Sequence, residues 1–195
     1  MSFLRTTIFA TASLLLVVTA LAQDPNVKHF DKDGLSFDYP ANWQLSDQST
    51  QNLQYIQLTR DGFTEIRVRV PREWLKTPAK EAEAKKLIQD KYVNDFASSV
   101  EQAGLNPKRS TVATQISGAD AEGARVRAVL DGQPGGMDSY FRVVSDRFVQ
   151  LSMIGSEKEM VKSTPVWDMV RNSLKVEPPP QPKAMPSPSP AKGKP

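Results

Sequence analysis

The stretch Gly34-Leu35-Ser36-Phe37-Asp38-Tyr39-Pro40-Ala41-Asn42-Trp43 constrains the fold more than any other part of the chain. Leu35, Phe37 and Tyr39 alternate with Ser36 and Asp38, the period of a strand with one face buried and the other wet. Pro40 then ends the ladder, because proline has no amide hydrogen to give. The chain turns onto Trp43, and Leu45 follows, so Trp43 is predicted to fold into the core.

The same alternation recurs and predicts an antiparallel sheet. Val27–Phe30 and Leu35–Tyr39 read as a hairpin across Asp31-Lys32-Asp33-Gly34. Leu53–Thr59 and Thr64–Val70 read as a second, across Arg60-Asp61-Gly62-Phe63. Asp-Gly suits such turns because glycine accepts positive φ without steric cost. Arg109–Ile116 and Glu122–Leu130 follow, separated by Ser117-Gly118-Ala119-Asp120. Met137–Val144 and Arg147–Ile154 are joined by Ser145-Asp146, after a predicted loop Asp131-Gly132-Gln133-Pro134-Gly135-Gly136. One helix begins near Thr77-Pro78, with threonine as N-cap and proline at the first helical position. Its stripe is Ile88, Tyr92, Phe96 and Val100, and Gly104 suits its end. A second begins near Thr164-Pro165 with the same cap chemistry, and Val166, Val170 and Leu174 form its stripe beside Met169. Both stripes read as faces docked on the sheet.

The ends differ from the middle. Residues 1–22 read as a secretory signal: Arg5, a mostly apolar Ile8–Leu21, then the small-x-small site Ala20-Leu21-Ala22. The apolar run is short for a bilayer span of about 20 residues, so no integral membrane segment is expected after cleavage. Residues 177–195 contain eight prolines and read as an extended, disordered tail without a core. One domain over 23–176 remains, long enough to bury a proper core. The chain has no cysteine, which excludes disulfides, a thiolate nucleophile and a cysteine zinc site.

The pI of 9.1 misdescribes this domain. Residues 23–176 hold 21 Lys and Arg against 21 Asp and Glu. Bulk attraction to nucleic acid or anionic lipid is therefore not implied, and nucleic acid is not an expected partner.

Little in the chain carries chemistry. His29 is the only histidine, and no Gly-x-Ser-x-Gly elbow accompanies it. It reads as a surface or structural residue, and a lone histidine without cysteine disfavours zinc. Asp31-Lys32-Asp33-Gly34 opens like a calcium loop, but Leu35 and Asn42 occupy the fifth and twelfth positions, where oxygen ligands are needed. The glycine-rich segments 118–123 and 133–136 lack the Lys-Ser/Thr of a phosphate loop. No catalytic residue, metal or cofactor is expected. The candidate binding residues are arginines: Arg67 and Arg69 on one strand, Arg125 and Arg127 on another, and Arg142 on a third. Gathered on one face they would form a basic patch suited to carboxylate or phosphate. Covered by helices, they must pair instead.

The Gly34–Trp43 opening and the order of elements resemble the PsbP-like family, whose best-known members are extrinsic proteins of photosystem II. The matching order is two hairpins, a long helix, four strands, and a C-terminal helix from Val166-Trp167 to Ser173-Leu174-Lys175-Val176. The resemblance covers about Phe30 to Val176. It implies an α+β fold, an antiparallel β-sheet flanked by helices in an α/β/α sandwich. It also implies a binding or assembly role without catalysis. The expectation is an exported, non-catalytic protein with an envelope protein partner. The alternative is a small-molecule or lipid carrier, with a cavity between sheet and helix lined by Tyr92 and Phe96.

Overall fold

The computed structural model describes residues 26–60, 64–130 and 132–177, with the Leu130 side chain outside that set. The predicted signal, the proline-rich tail beyond Glu177 and the Asp61-Gly62-Phe63 turn lie outside the described residues.

Two antiparallel sheets and a few helices form an α+β fold. Strands β1 (Val27–Lys32) and β2 (Leu35–Pro40) pair across a two-residue turn. Asp33 and Gly34 both hold positive φ there, 51° and 74°. This hairpin does not join the main sheet. It makes a small sheet of its own with β10 (Lys175–Val176), a strand where the sequence had suggested helix.

The main sheet also contains β3 (Gln44–Asp47), β4 (Leu53–Arg60), β5 (Thr64–Pro71), β6 (Lys108–Ile116), β7 (Ala119–Leu130), β8 (Gln133–Val144) and β9 (Arg147–Ser156). Their order is β3-β4-β5-β9-β8-β7-β6. The short β3 was not foreseen. The predicted loop at 133–136 is instead the first part of β8, paired from Gln133 onward with β7. Pro134, Gly135 and Gly136 therefore lie in the ladder.

The first helix is α1 (Pro78–Ala84), a π-helical segment (Lys85–Asp90), and α2 (Lys91–Gln102). Thr77 caps it as expected, accepting the Lys80 amide at 3.3 Å. The π segment adds one residue to a turn. The buried line therefore runs Ala84, Gln89, Val93, Ala97, and the predicted stripe at 88, 92, 96 and 100 only flanks it. A short α3 (Glu157–Lys162), also unforeseen, precedes α4 (Thr164–Ser173). Thr164 is already helical; Ser163 holds the cap position of α4, and its side chain makes no capping bond.

Both faces of the main sheet are covered. Ile66, Val68, Leu151 and Tyr140 pack with Leu35 and Phe37 of the small sheet and with Trp167, Val170 and Leu174 from the α4 region. Trp43, 3% exposed, belongs to this core. On the other face, Val126 and Met137 pack against Val93 and Ala97 of α2. Ile66 and Val68 of β5 and Val126 of β7 therefore point in opposite directions.

Candidate functional site

The five arginines do not gather on one face. Register decides this. Arg67 pairs with Ser152, Ser152 with Ser139, and Ser139 with Ala124. Directly paired residues share a face. Arg67 and Arg69 thus share the α2 side with Ala124 and Val126. Arg125 and Arg127 project to the α4 side.

The α2-side pair is closed upon itself. Arg67 binds Glu65 through Nε and Nη2, the latter to Oε2 at 2.8 Å, and donates from Nη1 to the Tyr92 hydroxyl at 2.9 Å. Burial, the largest single influence, lowers the affinity of the Arg67 guanidinium for its proton, but the Glu65 hydrogen bonds together with the charges of Tyr92, Glu65 and Tyr55 outweigh it and the pKa rises. Arg69 lies 4.9 Å from the Tyr92 ring centre and 5.9 Å from that of Tyr55, and donates to Gln150 Oε1 at 3.0 Å. Gln150 donates to Gln89 Oε1 at 2.7 Å, and Gln89 to the Ser139 carbonyl at 2.9 Å. The extra residue of the π segment turns Gln89 inward to complete this chain. A buried polar network satisfied in this way fixes the helix on the sheet. Tyr92 is engaged by this network, while Phe96 lines a cleft between α2 and the sheet.

The α4-side pair is arranged differently. Arg125 grips Asp138 from Nε and Nη2, both at 2.8 Å, and Arg127 Nη2 reaches the same carboxylate at 2.8 Å. The bonds to Asp138 raise the Arg125 pKa. Arg127 also donates to the carbonyls of Val126 and Met137, at 3.1 and 3.0 Å. Asp138 is 9% exposed and Arg125 42%. Beside them, burial raises the Tyr140 hydroxyl pKa, helped by the Asp138 charge. Arg142 shares their face but lies four residues further along β8, about 13 Å away. It donates to the Ile116 carbonyl at 2.6 Å, which ties β8 to the end of β6.

Lys108 sits directly opposite Arg127 in the β6–β7 ladder. It makes no ion pair among the described residues. Lys108 and Arg127 line an open cleft of about 500 Å³ with Leu105, Ala128, Val129 and Pro134. Glu157 lines it as well. Val129 is 59% exposed. Sequence reasoning missed Lys108, Leu105 and Val129. Alternation within β6 and β7 was visible, but only the register between them brings Lys108 to Arg127.

A smaller cleft of about 290 Å³ adjoins it between α2 and the sheet. Phe96, Val100, Leu105 and Ile154 form its walls over Gly135, Gly136 and Gly155. A Cβ on Gly136 would stand 1.9 Å from the Val126 carbonyl, so that floor is bare backbone.

No protein-family model matches the chain, and no curated protein is similar to it. Solved structures are similar to it. The solution structure of cyanobacterial PsbP from Synechocystis sp. PCC 6803 shares 12% identity, with a TM-score of 0.49 over 83% of this chain and 99% of that one. LpqN, involved in cell envelope biogenesis of Mycobacterium tuberculosis, shares 13%, with 0.45 over 78% and 92%. PA94 of Pseudomonas aeruginosa, a protein of unknown function, shares 14%, with 0.40 over 79% and 99%. At these identities and TM-scores no family membership or activity passes from them to this chain.

Proposed function

We propose that this chain is an exported, non-catalytic binding or assembly domain whose partner is an envelope protein. One observation carries the reading. A single buried carboxylate, Asp138, serves two guanidiniums, while Lys108 across the ladder makes no ion pair among the described residues. An uncompensated cation beside exposed apolar surface fits a protein segment that carries carboxylates among apolar residues. Leu105, Ala128, Val129 and Pro134 supply that apolar wall. The α2-side arginines are excluded from the contact because Glu65, Tyr92 and Gln150 already occupy them. Export rests on residues 1–22, whose composition is that of a secretory signal.

The test is affinity capture from envelope extract, with proteins identified by mass spectrometry. The wild-type chain should retain a partner that rising salt releases. A Lys108→Gln/Arg125→Gln variant, which leaves Arg127 on Asp138, should fold normally and lose it. Equal retention by the folded variant would refute this site.

The cleft between α2 and the sheet favours a second reading, an apolar-ligand carrier. Its volume lies just under the roughly 300–1,000 Å³ usual for ligand pockets. Displacement of a fluorescent fatty-acid probe, abolished by Val100→Trp, would support it. No binding of the probe would remove it.

A further inference from the structure

We propose that β6 is a dimerisation edge, pairing antiparallel with β6 of a second copy about Thr111. The inference goes beyond the partner reading and does not depend on it. β6 is the outer strand of the main sheet and pairs with β7 only. It runs for nine residues, and every residue from Lys108 to Gln115 is exposed or half-exposed. Exposed edges are ordinarily blunted by brevity, charge or proline. The opposite edge, β3, has four residues. The edge strand β1 carries Lys28, Asp31 and Lys32. Ser110-Thr111-Val112-Ala113-Thr114-Gln115 carries no charge and no proline. It is the longest unguarded strand edge among the described residues.

The direction of its backbone groups follows from the turn. Ser117 and Gly118 form a two-residue hairpin turn with φ of 53° and 72°. Residues flanking such a turn exchange both ladder bonds. From Ile116 backwards, the even-numbered residues bond to β7, and the odd-numbered ones point outward. The outward Gln115 carbonyl confirms the parity: it accepts Arg171 Nη1 from α4 at 2.9 Å. That contact closes the far end of the edge and leaves the outward backbone groups of Arg109, Thr111 and Ala113 open, with the Arg109 guanidinium donating to Asn94 Oδ1 of α2 at the exposed surface.

A second copy fits this opening better than an arbitrary strand. Centred on Thr111, antiparallel pairing sets Arg109 against Ala113 of the second copy and Thr111 against Thr111. Lys108 and Arg109 of the two copies then lie at opposite ends. On β7, Glu122 pairs with Ala113 on the same face. Arg109 of the second copy therefore faces Glu122 across a small side chain, two strand spacings or about 10 Å between backbones. Symmetry makes this contact twice. Glu122 is 78% exposed, and among the described residues its ion pair is with Lys85, at 3.3 Å. The neutral domain adds no bulk repulsion.

Analytical ultracentrifugation of the purified chain over a wide concentration range tests the proposal. A reversible dimer is expected. Thr111→Pro should leave only monomer with an unchanged circular dichroism spectrum, because that amide points away from β7. Arg109→Glu should weaken dimerisation roughly tenfold, and Arg109→Glu/Glu122→Arg should restore it. This charge exchange decides the matter should Thr111→Pro misfold. Monomer at every concentration, or a dimer indifferent to both sets of variants, overturns the proposal. So does a chain that pairs only with a foreign strand.

Discussion

Arg125 grips Asp138 with two parallel hydrogen bonds, each 2.8 Å long. The same carboxylate also holds Arg127, so it is the counter-ion on which that corner of the sheet depends. Asp138→Asn keeps the shape and removes the charge. It should lower stability by about 2–4 kcal/mol, less than the ~3–5 kcal/mol of a fully buried pair because Arg125 is 42% exposed. Arg125→Gln should cost only about 0.5–1 kcal/mol, since Arg127 still serves Asp138. Urea unfolding of both variants measures the difference. Equal losses would show that the two arginines do not share the load as described.

Gly123 lies beneath Tyr140, its partner in the β7–β8 ladder. A Cβ at that position would stand 2.4 Å from the Ser139 carbonyl and 2.6 Å from the Tyr140 ring. The ring cannot retreat, because Trp167 packs on it with centres 5.5 Å apart. Gly123→Ala should therefore destabilise by about 1–3 kcal/mol despite adding one methyl group. A melting temperature at or above that of the wild type would contradict this packing.

Trp43 is a core residue. At 3% exposure inside the main core, its replacement by alanine should cost about 3–5 kcal/mol. Thermal or urea denaturation reads this directly, and unchanged stability would reverse the assignment.

Asp47 gives the stability a dependence on acid. The hydrogen bond from Lys32 lowers its pKa to about 2, with Ser49 assisting. A depressed carboxyl pKa stabilises the folded state above the unfolded value of 3.8 and stops doing so as pH falls towards 2. Melting temperature should fall across that window, and Asp47→Asn should flatten part of the fall. An identical slope in the variant would assign the acid sensitivity elsewhere.

These relationships were unequally legible in the sequence. Alternation and Asp-Gly or Ser-Gly turns revealed the hairpins, because hairpin pairing is local and side-chain period is fixed. Trp43 followed from its place after a strand-ending proline. The shared arginine face did not survive, and parity is the reason. Alternation shows which residues of one strand share a face. It cannot show how Arg67 on β5 aligns with β7 across β9 and β8, where Ala124, not Arg125, falls in line. Both faces are buried, so apolar residues in β5 and β7 gave no common direction. Gly135 and Gly136 suggested a loop, since glycine weakens strands in general; here they floor a cleft. The π segment has no residue signature of its own, so the inward turn of Gln89 could not be foreseen.

Val129 and Leu87 are almost equally exposed, at 59% and 58%, but only Val129 borders the Lys108–Arg127 cleft. A photo-crosslinking residue placed at each in turn, in the exporting cell, is the most direct test of where the partner binds. One salt-sensitive crosslinked envelope protein is expected from position 129 and none from position 87. A crosslink from position 87 alone, the same product from both, or none from position 129 would contradict it.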